Sequence, residues 1–486
     1  MSRVIRTTPA DDRLELSTHE KALKINLDPV RYGTFAEVGA GQEVARWFFK
    51  VGAAAGTISK SMSAYDMTVS DAVYGECKRY VSRERLHRML EHEHQLNLER
   101  LASSRGESTA FFTFADTVAA RNYRGTNECH GWMGVKFQAH PRDEENQIII
   151  HVRMLDNENG LQQEALGVVG VNLLYAAFYL HRTPESMIES LLDNLSTERI
   201  EIDMIEFSGV EFRCVDNRVM SLKLVQLGLS GAAMFGPSGE VLQPSEVLRK
   251  RPILVERGSF RPLTKVNVDM MRSAREQFSA EPEVNGNQIV ELMEITMRNL
   301  LAEGGIDLHD FLARADLLAT TGKTVLISDY SEYYRLAAYL TRYTNEPIAV
   351  TMGAGSLQEL YREQYYAGLE GGILEAFGRL FTKNLRIYVY PLGEPFSTHV
   401  IAAENLPLRA DLCHLHHHLM DRGKIRQLEN FDKTVLHIFS RDVLKRIKDH
   451  DSSWEEMVPN EVATMIKRRK FFGYRELPIR MEVLAS

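Results

Sequence analysis

The chain has 486 residues, of which 44% are hydrophobic and 26% charged, a composition typical of soluble globular proteins. This length is too great for one ordinary domain, so we expect two or three. The formal net charge is −8 and no long basic run occurs. Both facts argue against a nucleic-acid-binding protein, because such proteins usually carry a basic face.

Cysteine usage and apolar runs indicate a cytoplasmic protein without a membrane segment. Four cysteines, at 77, 129, 214 and 413, are scattered and form no CxxC pair, so we predict neither a disulfide framework nor a cysteine-rich zinc site. The polar segment 1–16 lacks the apolar core of a secretory signal. The longest apolar run, 166–180, is shorter than a membrane span of about 20 residues, and we interpret it as a buried helix.

The first half of the chain is predicted to be a mixed α+β domain, 31–250, preceded by an irregular arm, 1–30. Apolar periodicity and β-branched or aromatic runs define its elements. The predicted helices are 39–55, 82–101, 160–181, 185–194 and 217–228, and the predicted strands are 110–114, 131–137, 147–154 and 199–207. In the last of these strands apolar and charged residues alternate, which predicts one buried face and one solvated face.

After Pro252 strands alternate with helices, which implies parallel pairing through crossover connections. The sequence therefore predicts an α/β fold with a Rossmann-like parallel-sheet domain, 251–404, and a helical C-terminal extension, 405–486. The predicted strands are 252–257, 323–329, 347–352 and 385–390, and the predicted helices are 265–278, 287–302, 307–319, 331–344 and a long helix ending near 381.

The most informative motif begins this second half: a short apolar strand, a Gly258-Ser259 turn and then a helix. In α/β proteins such a turn places a helix N-terminus against a phosphate. The predicted phosphate cradle consists of Gly258, Ser259, Arg261, Thr264 and Lys265.

Asp329 ends the next predicted strand, and ligands of open α/β sheets bind outside such strand ends. We therefore expect Asp329 to face the same crevice. The predicted ligand is a small-molecule nucleotide or a phosphate-bearing metabolite. ATP and an NAD-related nucleotide both fit, with Mg²⁺ as a further candidate.

The segment Gly258-Ser-Phe-Arg-Pro-Leu-Thr264 resembles the Gly-Ser-Phe-x-Pro-x-Thr/His motif of nicotinamide and nicotinate mononucleotide adenylyltransferases. In that family the motif ends the first strand of a Rossmann-like fold, its turn holds the ATP phosphates, and a histidine three residues later stabilises the transferring phosphate. Asn267 occupies that position here and brings no positive charge. Because charge-assisted hydrogen bonds are about twice as strong as neutral ones, Asn267 predicts poor adenylyl transfer.

Two further resemblances are weaker. The family's second motif, Ile-Ser-Ser-Thr-x-Ile-Arg, has its nearest counterpart in 439–443, Phe-Ser-Arg-Asp-Val. The segment 33–46 resembles a widespread bacterial family of proteins of this length, and that resemblance implies no activity.

Two classes of function follow. The first is a nucleotide- or phosphate-metabolite-binding protein, including a nucleotidyltransferase-like enzyme. The second is a non-catalytic, self-assembling scaffold with a degenerate Rossmann-like domain, in which tyrosine-rich helices such as 361–366 form subunit contacts. A homo-oligomer is expected in either class.

Three other segments carry chemical groups. Arg121, Arg124, Glu128 and His130 lie between two predicted strands, where they could hold an anion and transfer protons or form a solvated hairpin connection.

A second segment, Gly39-Ala-Gly41, is half of a dinucleotide fingerprint. Because the ribose-binding acidic residue has no clear counterpart, we favour a helix entry that needs small residues.

The third segment contains Cys413, His414, His417 and His418, and pairs of these residues share a helix face. A zinc site needs three or four ligands, and the nearest additional candidates are His399 and His437. We favour a helix surface and predict no metal.

Overall fold

The computed structural model describes residues 15–284, 286–382, 384–393 and 400–475. The chain divides into two compact units, one ending at Ala233 and the other beginning at Met234. Among the described residues no helix is both long enough and apolar enough to cross a membrane. The fold is α/β, with a mixed α+β first half followed by a Rossmann-like parallel sheet and a largely helical C-terminal segment.

The first unit is a six-stranded sheet with helices packed on it. Its strands are β1 (Arg31–Gly39), β2 (Ile58–Ala64), β3 (Ala110–Ala119), β4 (His130–Gln138), β5 (Glu145–Met154) and β6 (Ile200–Gly209). Its helices are α1 (Thr18–Asn26), α2 (Val44–Val51), α3 (Met67–Tyr74), α4 (Arg83–Arg105), α5 (Asn159–Tyr179), α6 (Pro184–Ser190) and α7 (Asn217–Gln226).

The strand order is β2-β1-β3-β4-β5-β6, with β2, β1 and β3 parallel and β3 to β6 antiparallel. The two faces are covered by different helices. A Cβ on Gly134 would lie 2.9 Å from Leu90 of α4, whereas Phe112 meets Phe178 of α5 at a ring-centroid distance of 5.0 Å on the other face. Strands buried on both faces explain the nearly continuous apolar runs of β3 and β4.

Two predictions for the start of the chain are corrected. An irregular arm was expected up to residue 30, but α1 forms there, because Ser17 and Glu20 make a reciprocal capping box. The expected helix 39–55 is shorter, because β1 continues to Gly39 and α2 begins at Val44.

The second half of the chain is built around an eight-stranded sheet. The strands are β7 (Ala232–Phe235), β8 (Val241–Leu242), β9 (Ile253–Arg257), β10 (Val290–Thr296), β11 (Thr324–Ser328), β12 (Ile348–Gly353), β13 (Leu385–Tyr390), β14 (Leu392–Gly393), β15 (Val400–Ile401) and β16 (Ile425–Gln427), of which β14 and β15 form a separate pair. The helices are α8 (Pro244–Leu248), α9 (Lys265–Ser279), α10 (Met297–Leu300), α11 (Leu308–Ala319), α12 (Tyr333–Leu340), α13 (Ala354–Leu360), α14 (Gly372–Leu380), α15 (Ala410–Asp421), α16 (Ser440–Lys448) and α17 (Asn460–Arg469).

The strand order of this sheet has a reversal beside β9. The sequence of neighbours is β16-β13-β12-β9-β10-β11-β7-β8, and the six strands from β16 to β11 are parallel. Counted from β9, these six follow the 3-2-1-4-5-6 order of dinucleotide-binding sheets. The chain moves outward from β9 through β10 and β11 and then returns to the other side of β9 at β12. The carboxyl ends of β9 and β12 therefore flank the crevice where such sheets bind ligands.

One strand of this sheet was not predicted. A helix was expected over 287–302, but Val290–Thr296 forms β10, directly beside β9. The expected long helix before 381 is divided into α13 and α14.

The C-terminal segment 427–440 is hydrogen-bonded to α9 and to the loop before it. Six of these bonds link residues that are at least 150 positions apart, and four of the six show the extent of the contact. They are Gln277 Nε2 to the Gln427 carbonyl, Arg272 Nη2 to the Asn430 carbonyl, the Asp432 N–H to Asp269 Oδ2, and Ser440 Oγ to the Pro262 carbonyl. Ser440 is the first residue of α16.

Candidate functional site

The loop 258–264 joins the carboxyl end of β9 to the first turn of α9, beside the crevice. The Gly258 N–H donates to the Glu294 carbonyl at 3.1 Å, and its carbonyl accepts from Asn299 Nδ2 at 3.1 Å. A Cβ on Gly258 would lie 2.8 Å from the ring of Phe260, so the tight turn requires glycine. The predicted strand, turn and helix are thus observed.

Two predicted phosphate contacts, one in this loop and one at the start of α9, have side chains that are not held by hydrogen bonds or ion pairs with described residues. Ser259 and Lys265 are half-buried, and neither side chain makes a hydrogen bond or an ion pair with a described residue. Lys265 is the first residue of α9, where the helix dipole is positive. The Thr264 side chain, by contrast, already donates to Asn267 Oδ1 at 2.8 Å.

Arg261, another predicted phosphate contact, is surrounded by acidic groups. Its guanidinium pairs with Glu303 and Asp310, and Asp310 also pairs with Arg314. Arg314 in turn donates to the Ser259 carbonyl at 3.2 Å. This network fixes the outer side of the loop and compensates the charge of Arg261.

Asn267 connects the first turn of α9 to a buried carboxyl group. Its Oδ1 accepts from the Thr264 N–H at 3.0 Å, and its Nδ2 donates to Glu256 Oε1 at 2.7 Å. Burial raises the pKa of Glu256 to about 8, although the bond from Asn267 opposes the shift. The second oxygen of Glu256 and the hydroxyl of Thr351, its register partner on β12, are buried without a hydrogen bond to a described residue. Two buried polar atoms without a hydrogen bond to a described residue therefore lie on neighbouring strands, β9 and β12, on which α9 packs.

We predict that Asn267→Ala lowers the free energy of unfolding by about 2 kcal/mol, because it leaves an N-cap group and a buried carboxyl without their partner. Urea denaturation of both proteins would measure the difference. Asn460→Ala removes an exposed asparagine from the first turn of α17 and is the matched control, with an expected change below about 0.5 kcal/mol. Equal stability of the two variants would contradict the structural role of Asn267.

The carboxyl ends of β9, β10 and β11 are tied together by an ion pair. Arg257 donates from Nε and Nη2 to Glu294 at 2.8 and 2.9 Å, and Glu294 also accepts from Ser328 Oγ at 2.5 Å. Arg257 further donates to the carbonyls of Tyr330 and Ser331. These contacts connect the carboxyl ends of the three strands to one another and to the residues that follow β11.

Asp329 is exposed and directly follows β11. The sequence places it at the end of the strand next to β9, but β10 lies between them. Two strand spacings, about 10 Å, therefore separate the ends of β9 and β11.

The loop between β3 and β4 contains Arg121, Arg124 and Glu128, all exposed. Asn127 organises it, since its Oδ1 accepts from the Asn122 N–H at 2.8 Å and its Nδ2 donates to the Ala120 carbonyl at 2.8 Å. The loop is thus an ordered hairpin connection with its charged side chains in solvent.

His130, from the same cluster, starts a chain of side chains that enters the first unit. His130 Nδ1 lies 2.9 Å from His151 Nε2, and His151 Nδ1 lies 2.6 Å from Asp203 Oδ1. The sequence prediction missed His151 and Asp203, because each lies in a strand assigned only a structural role. An acidic residue inside the run Ile-Asp-Met-Ile was the available signal.

A second buried group that the sequence did not reveal is the carboxyl pair of Glu37 and Asp116. They face each other in register on β1 and β3. Glu37 accepts from the N–H groups of Val44 and Ala45 at the start of α2. Burial raises the pKa of Glu37 to about 7, and burial together with the Glu37 charge raises that of Asp116 well above its usual range.

Gly41 explains the small residues predicted at the entry to α2. A Cβ on Gly41 would lie 2.1 Å from Asp116 Oδ1. The loop therefore needs glycine to pass over a buried carboxyl group, which supports the helix-entry interpretation over a dinucleotide fingerprint.

The candidate metal ligands on the histidine-rich helix α15 lie in different environments. His414, His417 and His418 are exposed, and the Cys413 thiol contacts the carbonyls of Leu408 and Arg409. Buried His416, which the sequence did not single out, lies between the Tyr361 hydroxyl and the Ala403 carbonyl. Within the described residues no group of three or more His, Cys, Asp or Glu side chains could hold a metal ion. His399 lies outside the described residues.

No protein-family model and no curated protein matches the chain. Among solved structures, a nicotinic acid mononucleotide adenylyltransferase of Plasmodium falciparum is similar over 46% of this chain and 98% of its own, at 11% identity and a TM-score of 0.30. A CinA-superfamily protein of Klebsiella pneumoniae is similar over 33% of this chain and 96% of its own, at 13% identity and a TM-score of 0.26. A competence/damage-inducible protein of Agrobacterium tumefaciens is similar over 34% and 97%, at 15% identity and a TM-score of 0.24.

Proposed function

We propose that the second unit binds a small-molecule nucleotide or a phosphate-bearing metabolite in the crevice between the carboxyl ends of β9 and β12. One observation carries this proposal. The loop 258–264 and the N-terminus of α9 lie where the order of six parallel strands reverses. In open α/β sheets this is the position where ligands bind, and a helix N-terminus there favours phosphate.

Side chains that are not engaged elsewhere support the same site. Lys265 and Ser259 make no side-chain hydrogen bond or ion pair with a described residue, so they can donate to an incoming phosphate without breaking one; the charge of Lys265 also interacts with that of Asp432. In the proposed complex Gly258 allows close approach of the backbone and Thr264 holds the helix entry. Arg261 supports the loop through its acidic partners, whereas Asp329 follows β11, two strands from β9 on the side away from β12, and is not among the proposed contacts. ATP and NAD-related nucleotides, with or without Mg²⁺, are the ligands to test.

Asn267 favours binding over adenylyl transfer. It stands where the adenylyltransferases carry a catalytic histidine, and both of its polar atoms are engaged by Thr264 and Glu256. A neutral amide held in this way adds no positive charge to a transferring phosphate. The same observation favours the second candidate, a scaffold with a degenerate nucleotide fold.

The tyrosines expected to form the subunit contacts of that scaffold are not on the surface of the unit. Tyr361 and Tyr366, expected on a contact surface, are only 3% and 4% exposed. Tyr361 packs on Phe377 and His416, and the Tyr366 hydroxyl donates to the Leu360 carbonyl. These tyrosines belong to the core.

Thermal unfolding with millimolar ATP, NAD or nicotinamide mononucleotide, each with and without MgCl₂, tests the binding proposal. A ligand that binds only the folded state at 100 times its Kd adds about 2.7 kcal/mol of stability. We expect Lys265→Ala to weaken binding by about tenfold, equivalent to about 1.4 kcal/mol, because one charged contact with phosphate is lost.

Lys445→Ala is the matched control, since Lys445 is an exposed lysine in the last turn of α16. Its Kd should equal that of the wild type. If none of the three nucleotides moves the unfolding transition of the wild-type protein, the nucleotide proposal is wrong.

A further inference from the structure

A cation–π pair joins the two sides of the crevice in the second unit. Arg298 is the second residue after β10, and Tyr365 lies in the 3₁₀ turn Glu363–Tyr366, which follows β12 and α13. The guanidinium carbon of Arg298 lies 5.6 Å from the centroid of the Tyr365 ring. Because β9 stands between β10 and β12 in the sheet, this contact reaches across the carboxyl end of β9.

Hydrogen bonds anchor both residues, but the flat groups that form the pair stay accessible. Asn299, next to Arg298, donates from Nδ2 to the Gly258 carbonyl at 3.1 Å, which ties α10 to the residue that follows β9. The Tyr365 hydroxyl donates to Glu359 Oε2 at 3.2 Å and so orients the ring. Tyr365 is half-buried and Arg298 is exposed. The Arg298 guanidinium makes no hydrogen bond or ion pair with a described residue.

Open space is found at the carboxyl end of β12, on the Tyr365 side of the crevice. A Cβ on Gly353, the last residue of β12, would meet no atom of a described residue within 4 Å, its chain neighbours excepted. Stacked groups keep their carbon atoms about 3.5–4 Å apart, so a ring held between tyrosine and guanidinium needs a separation of about 7 Å. The observed 5.6 Å is already close to the outer limit of cation–π attraction, about 6 Å. A small outward shift of the exposed Arg298 side chain therefore admits a ring without breaking a hydrogen bond.

We propose that Arg298 and Tyr365 bind the base of the nucleotide, with the base stacked on the tyrosine ring and covered by the guanidinium. This inference rests on the proposed function, in which Lys265 and Ser259 hold the phosphate end of the same ligand. Every base has a π face, and tyrosine rings and guanidinium planes both stack on bases. The substrate class narrows to nucleotides with a neutral base such as adenine, because the charge of Arg298 repels the pyridinium ring of nicotinamide mononucleotide.

Isothermal titration calorimetry with ATP and with inorganic triphosphate tests the stacking role of Tyr365, since triphosphate has the phosphates of ATP but no base. We expect Tyr365→Leu to weaken ATP binding about tenfold, equivalent to about 1.4 kcal/mol, and to leave triphosphate binding unchanged. Tyr365→Phe keeps the ring and should keep the affinity for ATP. Tyr474→Leu is the matched control, because Tyr474 is a half-buried tyrosine that packs on Trp454, and it should change neither affinity.

The two ligands separate this inference from the proposed function. If neither ATP nor triphosphate binds the wild-type protein, the phosphate site itself is wrong. If ATP binds but Tyr365→Leu keeps its affinity, or loses affinity for both ligands alike, the stacking role is wrong while the phosphate site stands.

The role of Arg298 is tested with two mononucleotides that share ribose and phosphate and differ in the base. We expect the wild type to bind AMP about fivefold more tightly than nicotinamide mononucleotide, and Arg298→Gln to bring the two affinities within about twofold of each other. Because Arg298 is exposed, this variant is expected to fold even if Tyr365→Leu does not. Equal affinities in the wild type, or an unchanged ratio in Arg298→Gln, would overturn the assignment of Arg298.

Discussion

Replacing Glu294 with alanine is expected to lower the free energy of unfolding of the second unit by about 3–5 kcal/mol, the loss typical of a broken buried ion pair. Glu294 is fully buried, and the Arg257 side chain that it pairs with is 9% exposed. Without Glu294 the guanidinium keeps two backbone carbonyls and the Tyr333 ring but no carboxylate partner within hydrogen-bond distance among the described residues, and the Ser328 hydroxyl loses its acceptor. Hydrogen–deuterium exchange of peptides covering β9 and β10 would measure the loss within this unit.

Glu291→Ala provides the control on the same strand. Glu291 pairs with Arg275 and Lys323, whose side chains are 59% and 23% exposed, so water can replace the lost partner. We expect a loss of about 1 kcal/mol or less. Similar effects of the two variants would mean that the Arg257–Glu294 pair does not hold the strand ends together.

Asp116→Asn is expected to change how the stability of the first unit depends on pH. The native pKa values of Asp116 and Glu37 are raised, so both groups stay protonated at pH values where the unfolded chain has released the protons. Their contribution to stability is complete below about pH 4 and is lost as the pH rises. Each such proton corresponds to about 1.4 kcal/mol per pH unit. Removing one of these two protons should therefore reduce the loss of stability that the first unit shows as the pH rises from 5 to 7.

Urea denaturation at pH 5, 6 and 7 would measure this effect. Trp47 and Trp132 lie in the first unit and Trp454 in the second, so a Trp454→Phe background confines the fluorescence signal to the first unit. Glu198→Gln makes the same carboxyl-to-amide change at an exposed position of this unit and should leave the pH dependence unaltered. An unchanged slope in Asp116→Asn would show that Asp116 is ionised in the native protein.

The motif at 252–275 could be predicted because its signals are local: an apolar strand, a glycine turn and a helix. Strand β10 could not be predicted from its own sequence. Its sequence, Val-Glu-Leu-Met-Glu-Ile-Thr, is rich in helix formers, and its acidic residues argue against a buried strand. The acidic side chain of Glu294 is acceptable there only because Arg257, 37 positions earlier, reaches it. Tertiary pairing decided this element, and with it the distance of Asp329 from the crevice.

The buried charged groups of the first unit could not be predicted from the sequence, for a related reason. The alternation of apolar and charged residues over 199–207 predicted a solvated face, yet Glu201 and Asp203 are 8% and 1% exposed. Each is buried because a strand neighbour, Arg153 or His151, supplies a partner. A single sequence shows the charges but does not show which strands become neighbours.

The hydrogen bonds between 427–440 and α9 have a consequence for synthesis of the chain. A ribosome produces β9, the loop 258–264 and α9 well before residue 440, and domains usually begin to fold as they emerge. Because the partners of Pro262, Asp269 and Arg272 are made about 160 to 180 residues later, α9 and the loop before it acquire these contacts only after residue 440 has been synthesised. A nascent chain therefore presents α9 and the loop before it without these partners for most of the time that the second unit takes to be made.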